Sequence, residues 1–274
     1  MTVVDVHCHV YPAKIAERAN ASVGEFYGVP MLDDPAINET GALHGSVDYL
    51  QKATAGSDIT HSVVHSVATK ANQVQSINNF IAEECAKNPS FIGFMTMHQD
   101  FPNPEEEIER AAGMGLKGIK IHPDTQKVDL DDPRLMKVYE IAEAKGLPLI
   151  IHTGDYRYDY SHPRRMQKVL HDFPNLVVNA AHFGGWSIYD LAIEYMEHEN
   201  CFLDVSSAMT YLGRRRTREL IDIYGADRIL FGSDFPMWSP SGELATVQSL
   251  GLSALEYEKI TWRNAERFIG IDIL

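Results

Sequence analysis

Short runs of apolar and β-branched residues recur along the chain, and most of them end in a polar residue or a Gly/Pro turn signal. Such runs are typical of strands that are buried on both faces. After a longer first gap they begin roughly every 25 to 30 residues. The pattern predicts strands over residues 3–9, 61–67, 91–97, 118–122, 148–152, 176–182, 201–207 and 229–235.

The stretches between these runs have helical periodicity. In residues 133–145, Leu135, Val138, Tyr139 and Ala142 fall on one face, and Gly146 supplies a stop signal. Strands that alternate with helices imply a parallel sheet covered by helices, and this number of units favours a closed barrel over an open sheet. We therefore predict a single-domain (β/α)8 TIM barrel over residues 1–274. Further helices are predicted at 74–87, 104–114, 163–172 and 188–198.

The first gap, residues 10–44, is rich in turn-forming residues such as Gly24, Gly28 and Pro30. It is predicted to be an extended loop that leaves the first strand and lies over the barrel mouth. Three interpretations stay open for it: a lid, a dimer contact, or a surface excursion without a role.

The charge balance narrows the range of partners. The chain has 24 Lys and Arg against 38 Asp and Glu, a formal net charge of -14, which disfavours nucleic acids and anionic membranes. No signal peptide or membrane-spanning run is evident, and the 3 cysteines show no disulfide-like spacing, so a cytoplasmic location is expected. The glycines of residues 113–118 precede a strand rather than follow one, which argues against dinucleotide binding.

Histidine and aspartate cluster where the predicted strands end. His7 and His9 stand two apart on the first strand and therefore point to the same side. His152, His182 and Asp234 lie at the ends of later strands, which meet at the carboxyl mouth of a barrel. Imidazoles and a carboxylate with open positions suit a catalytic divalent metal, with Zn²⁺ as the first expectation.

The strand-end motifs, in this order, resemble those of the amidohydrolase superfamily, specifically its amidohydrolase-related (type 2) branch. The resemblance covers nearly the whole chain and includes the closing segment, residues 264–268. Its strand motifs are VDVHCH (4–9), GIKIHP (118–123), IHTG (151–154), AHFGG (181–185) and FGSDFP (231–236).

This resemblance implies that His7, His9, His152 and Asp234 bind one metal ion, and that Asp234 also moves a proton. His182 is then an acid, base or polarising group beside the metal. The implied activity is hydrolysis of a small-molecule amide, lactone or related ester by metal-activated water. The alternative is non-oxidative decarboxylation of an aromatic or unsaturated carboxylic acid, and the branch suggests a homodimer.

Other interpretations remain open at this stage. Lys120 and His122 share one face of the fourth strand and suggest a two-metal site bridged by a carboxylated lysine, although Lys120 lies deep in the strand. A non-catalytic ligand-binding barrel would use the same histidines without turnover. A metal-independent lactonase would use them to bind substrate without a metal. Arginines in residues 155–160 and 214–216 are candidates for binding a substrate carboxylate, or for ordinary surface pairs.

Overall fold

Eight parallel strands form the centre of the structure, a computed structural model that describes residues 2–31 and 33–273. Each strand pairs with the next one in chain order, which confirms the predicted parallel arrangement. The strands are β1 Val3–His9, β2 Ile59–His65, β3 Phe91–Thr96, β4 Gly118–Ile121, β5 Leu149–Ile151, β6 Val178–Ala180, β7 Phe202–Asp204 and β8 Ile229–Leu230.

The sheet closes because β1 also bonds to the segment that directly follows the last strand, β8. The Val6 amide donates to the Phe231 carbonyl at 2.9 Å, and the His9 amide donates to the Phe235 carbonyl at 2.7 Å. Closure removes both sheet edges and makes the carboxyl ends of all strands meet at one mouth. The predicted (β/α)8 TIM barrel is therefore confirmed.

Helices connect the strands and cover the barrel, and the predicted ones are present with ends that shift by about two residues at most. Their bounds are α1 Ala13–Tyr27, α2 Pro35–Asn38, α3 Val47–Thr54, α4 Val74–Lys87, α5 Pro104–Gly113, α6 Pro123–Gln126, α7 Pro133–Lys145, α8 Pro163–Asp172, α9 Tyr189–Met196, α10 Met209–Tyr224, α11 Pro240–Gln248, α12 Ala254–Glu258 and α13 Asn264–Ile269.

The excursion after β1 lies at the mouth as predicted, but its description as a loop was incomplete. It contains α1, a helix of 15 residues, and the short α2. Gly24 is a turn signal in the sequence, but it lies inside α1. An added Cβ at this position would stand 3.0 Å from the Val29 carbonyl oxygen, so close packing explains the glycine. Gly28 does end the helix, in the left-handed conformation that glycine adopts without strain.

Arg157, in the connection after β5, holds the end of α1 against the barrel. Its guanidinium donates to the Phe26 carbonyl and to both carboxylate oxygens of Asp155. It also lies 4.9 Å from the centroid of the Phe26 ring and 5.5 Å from that of Tyr27. These contacts satisfy a carbonyl that the helix end leaves free and add cation–π attraction.

The barrel interior is apolar at the amino-terminal end and polar at the mouth. At the amino-terminal end, Val4, Val6 and Leu230 pack with Phe268 of α13, which closes the bottom of the barrel. A second, larger core fills the space between the strands and the surrounding helices. Within the described residues, no helix combines the length and the apolar character needed to cross a membrane.

Glu243 of α11 is a buried acid that lies near Asp5 of β1. Its Oε2 has no hydrogen-bond partner within the part of the chain that the structure describes. Burial, and then the nearby Asp5 and Asp234, raise its pKa from 4.5 to about 8. Burial likewise raises the pKa of Asp5. Near neutral pH the folded protein therefore favours a protonated Glu243.

Replacing Arg157 tests whether this residue anchors the end of α1 to the barrel. We expect Arg157→Gln to raise amide hydrogen exchange in residues 13–27 by about tenfold or more while the barrel strands stay protected, because the helix end loses its cap. Exchange is read by mass spectrometry. Arg164→Gln, which removes an exposed guanidinium that pairs with Asp159, is the control. Unchanged exchange in α1 would contradict the anchoring role.

Replacing Glu243 tests its protonation. A folded-state pKa above the unfolded value gives stability that is full below about pH 4.5 and is lost as the pH rises toward about 8. We expect Glu243→Gln to remove that loss, so wild type should fall behind the variant by about 2–4 kcal/mol between pH 5 and pH 8. Urea unfolding at both pH values measures this. The exposed Glu39→Gln is the control, and parallel wild-type and Glu243→Gln profiles would refute the assignment.

Candidate active site

His7 and His9 face the barrel interior because the β1 ladder is irregular. Val4 and Val6 point inward in the bottom core, so a regular strand would turn His7 outward. The pairing register between β1 and β2 shifts between Asp5 and Cys8, as in a β-bulge. After the shift His7 and His9 line the cavity, whereas Cys8 packs in the outer core.

The carboxylate of Asp5 fixes this irregularity. Its Oδ1 accepts hydrogen bonds from the His7 amide at 3.1 Å and from the Ser233 amide at 2.9 Å. Ser233 precedes Asp234, so one buried oxygen sets the position of the histidine pair relative to the aspartate. This contact connects the first strand with the segment after the last one.

His7, His9 and Asp234 converge at the mouth. The Nε2 atoms of both imidazoles lie 3.5 Å from Oδ1 of Asp234. Asp234 adopts a left-handed backbone conformation with φ of 59°, which only a well-determined site sustains in a non-glycine residue. Its other oxygen, Oδ2, accepts a hydrogen bond from Ser207, and Ser207 in turn accepts one from Trp238 at 2.8 Å.

His152 and His182 lie beside this group in the same cavity and are joined to each other. His182 Nε2 is 3.1 Å from His152 Nδ1, and His182 Nδ1 is 2.9 Å from the Ser206 carbonyl. His182 also has a left-handed backbone, with φ of 60°. The structure thus brings His7, His9 and Asp234 into direct proximity, with His152 one imidazole away.

The other ring nitrogen of His152 faces a different set of side chains. His152 Nε2 lies 3.0 Å from the Gly154 carbonyl and 3.4 Å from Asp124 Oδ2. The His152 ring stacks on that of His122 at a centroid distance of 4.0 Å. Binding the same ion as His7 and His9 would therefore require His152 to reorient its ring.

Asp204, at the end of β7, is a site residue that the sequence reasoning missed. It is fully buried and binds His7 Nδ1 at 2.9 Å, Asn179 Nδ2 at 2.7 Å and the His182 amide at 3.0 Å. Burial alone raises its pKa, but His7 and the hydrogen bonds outweigh that effect and hold the pKa well below the usual range. A signal was available, since Asp204 is an acidic residue within the predicted strand 201–207.

Lys120 reaches the centre of the site from β4, despite its depth in the strand. Its Nζ lies 2.8 Å from His7 Nε2, and the side chain is fully buried. Burial lowers its pKa to about 8, against the opposing effect of Asp234 and Asp204. The amine is therefore still mainly charged at neutral pH and places a cation on the cavity floor.

Other polar groups were also missing from the predicted site. His65 ends β2 with its ring 4.5 Å from that of His9, and neither ring nitrogen has a partner among the described residues. Tyr27, at the end of α1, places its hydroxyl 2.6 Å from His122 Nε2. His65 could have been recognised, since it lies near the end of the predicted strand 61–67, but Tyr27 depends on a helix that was not predicted.

The site residues fit a divalent metal in donor chemistry and spacing. Burial lowers the pKa of His9, His65 and His152 well below the usual range, so these imidazoles are neutral and keep a free lone pair. Ligand atoms about 2.1 Å from a tetrahedral metal stand roughly 3.4 Å apart, close to the 3.5 Å spacings at Asp234. Lys120 competes with a metal ion for His7, because its amine donates to the lone pair of His7 Nε2.

The arginines considered as carboxylate ligands face elsewhere. Arg157 is engaged by Asp155 and the end of α1, and Arg216 pairs with Asp190 and Glu219 on the surface. Neither lines the cavity above the histidines, which has a volume of about 950 Å³. These arginines therefore have structural or surface roles.

Comparison with known proteins gives consistent results. A family described as amidohydrolase matches residues 4–271. The 2-amino-3-carboxymuconate-6-semialdehyde decarboxylase of Dictyostelium discoideum is 26% identical over 72% of this chain and 66% of its own, slightly under two thirds of its length. The gamma-resorcylate decarboxylase of a Polaromonas strain is 24% identical over 75% of this chain and 78% of its own.

Solved structures share the fold. A TIM-barrel protein from Bordetella bronchiseptica superimposes with a TM-score of 0.77 at 20% identity, covering 98% of this chain and 99% of the other. The 5-carboxyvanillate decarboxylase of Novosphingobium aromaticivorans, solved with manganese and 4-hydroxy-3-methoxy-5-nitrobenzoic acid, gives 0.76 at 17% identity, covering 98% and 96%. At these identities the likeness concerns the fold alone.

Removing the histidine pair tests metal binding. We expect the double variant His7→Ala, His9→Ala to lose most bound metal, about tenfold or more, and to keep the circular dichroism of the barrel, because strand pairing does not use these side chains. Metal is measured by elemental analysis after loading with Zn²⁺ or Mn²⁺. The control is His198→Ala, whose side chain is 89% exposed. Full metal content in the double variant would refute the ligand assignment.

Proposed function

The chain belongs to the amidohydrolase family of enzymes, and on that premise we propose that it catalyses metal-dependent, non-oxidative decarboxylation of a small aromatic or unsaturated carboxylic acid. The structural observation that carries the proposal is the buried Lys120 amine, 2.8 Å from His7 on the cavity floor. A buried cation beside metal-binding imidazoles favours an anionic substrate, whereas amide or lactone hydrolysis has no need of one.

The relatives support this choice between the two reactions considered. Hydrolysis was the first expectation from the sequence, with decarboxylation as the alternative. The relatives described above are named as decarboxylases of carboxylic acids, which favours the alternative. Hydrolysis of a lactone or amide stays as the second candidate, because the same ligands can activate water.

We assign metal binding to His7, His9, His152 and Asp234. Zn²⁺ suits their borderline donors, and the manganese in the Novosphingobium relative makes Mn²⁺ the second candidate. When bound, a divalent ion acts as a Lewis acid that neutralises substrate oxygens and withdraws electron density from the conjugated system. Lys120 must leave His7 for this, and its charge is then free to pair with the substrate carboxylate.

Asp234 is the group that we expect to move the proton. Its Oδ1 faces the imidazoles, which leaves Oδ2, hydrogen-bonded to Ser207, as the atom that holds a proton. Delivery of that proton to the carbon bearing the carboxylate forms a C–H bond. The C–C bond to CO2 then breaks, and its electron pair restores the conjugation of the substrate, so neither an oxidant nor a reductant is needed.

His182 has a positioning role in this scheme. Burial lowers its pKa to about 4, against the opposing effect of Asp234 and Asp204, so the ring is neutral at pH 7. Its Nδ1 donates to the Ser206 carbonyl, so Nε2 bears the lone pair and accepts from His152. A neutral imidazole held in this way is a poor acid, and we expect it to position the His152 ring and to accept from a substrate hydroxyl.

The reaction is tested with Zn²⁺- and Mn²⁺-loaded protein on 2,6-dihydroxybenzoate, 5-carboxyvanillate and unsaturated dicarboxylic acids, with lactones and amides in parallel. We expect CO2 release, and in D2O one deuterium at the carbon that lost the carboxylate. Asp234→Asn should lower kcat by ~10²-fold or more at matched metal content, because the carboxylate that carries the proton is lost. His182→Asn should lower kcat and leave metal content near normal.

The matched control is Asp227→Asn, which replaces a 67% exposed aspartate that pairs with Lys259. Near-wild-type turnover in metal-loaded Asp234→Asn would rule out the proton transfer. Hydrolysis of a lactone or amide without CO2 release from any acid would reject decarboxylation in favour of the second candidate.

A further inference from the structure

We infer that the space between α1 and α4 is a second binding subsite of the same cavity, which takes an apolar or aromatic substituent of the substrate. The inference deepens the proposed function, on which it rests: it makes the substrate a carboxylic acid with a bulky apolar group away from the carboxylate.

One wall of this subsite is an apolar stripe on α1. Ile15, Ala19 and Val23 follow one another at the four-residue spacing that aligns side chains on one helix face, and Phe26 continues the stripe. All of them line the cavity and are only partly buried, whereas the residues of α1 that are fully buried are Ala16 and Asn20. The stripe therefore faces open space instead of the protein core.

The opposite wall comes from α4, where Ile77 and Phe80 are also partly buried and line the cavity. The inner end of the same cavity is formed by His7, His9 and Asp234. This continuity argues that the occupant is one end of a molecule whose other end lies at the histidines. A second copy of the chain would approach from outside instead.

The size of the cavity supports the same conclusion. Its volume of about 950 Å³ lies at the upper end of the ~300–1,000 Å³ range for sites of drug-sized ligands. A single-ring acid held at the histidines leaves the α1–α4 space unfilled. The exposed Lys14 and Arg18 of α1 and Glu83 of α4 also line the cavity, so charged side chains flank its apolar walls on the solvent side.

The test compares two acids that differ by one ring. Binding of benzoate and biphenyl-4-carboxylate to Mn²⁺-loaded protein is measured by calorimetry, with no need for turnover. We expect biphenyl-4-carboxylate to bind about 10- to 100-fold more tightly, because its second ring is removed from water between α1 and α4. Ala19→Trp should fill the subsite and bring the ratio of the two dissociation constants close to one, with benzoate affinity unchanged.

Ala21→Trp is the matched control, because Ala21 is exposed and lies about 200° around the helix from Ala19. It should keep the wild-type ratio, and circular dichroism checks that both variants fold. Equal affinities in the wild type, an unchanged ratio in Ala19→Trp, or no binding of either acid would overturn the subsite.

Light scattering tests whether a second copy of the chain, rather than the substrate, occupies the α1–α4 space. A change of molar mass in Ala19→Trp together with equal wild-type affinities would make the groove a contact between copies, which also overturns the inference. The subsite and the proposed reaction can be rejected independently. A large affinity ratio without CO2 release from any acid would support the subsite and reject decarboxylation.

Discussion

The buried carboxylate of Asp204 is the contact on which the geometry of the mouth depends. It joins the ends of β1, β6 and β7 by bonding to His7, Asn179 and the backbone of His182. By accepting from Nδ1, it leaves Nε2 of His7 directed into the cavity, where a metal ligand must point. Burying a charge is costly, and these hydrogen bonds together offset that cost.

The reacting groups stand where the chain leaves the strands, and this has a conformational cost. His182, Ser207 and Asp234 all adopt positive φ angles between 51° and 60°, which residues other than glycine adopt rarely. Each such residue costs of order 1–3 kcal/mol. The bonds of Asp5 and Asp204 to neighbouring backbone amides hold this conformation, so the same carboxylates that orient the histidines also maintain the strained turns.

The sequence predicted the barrel well because its strands are buried on both faces and its helices carry clear apolar stripes. It also predicted that His7, His9, His152, His182 and Asp234 would share one cavity, since parallel strands bring their carboxyl ends together. The pattern did not reveal α1, whose start lacks a capping side chain and whose apolar stripe faces a cavity. Tyr27, the last residue of that helix, was therefore not predicted as a site residue.

Asp204 shows a different limit of sequence reasoning. Its partner His7 is 197 positions away, and no local pattern links the two residues. The bulge that turns His7 inward is likewise set by a contact with Ser233, 228 positions from Asp5. Strict alternation along β1 from Val4 would have placed the histidines on the wrong face. The prediction placed them correctly because it used the His-x-His spacing rather than the phase of the whole strand.

The closure of the barrel between its first and last strands has a consequence for synthesis of the chain. While the ribosome makes residues 10–228, β1 has one edge without its final partner and an inward face rich in imidazoles. The plug from α13 arrives later still. Bringing such distant segments together has an entropic cost, and unpaired strand edges invite association with other chains. The amino-terminal strand therefore completes its pairing only after translation has passed β8.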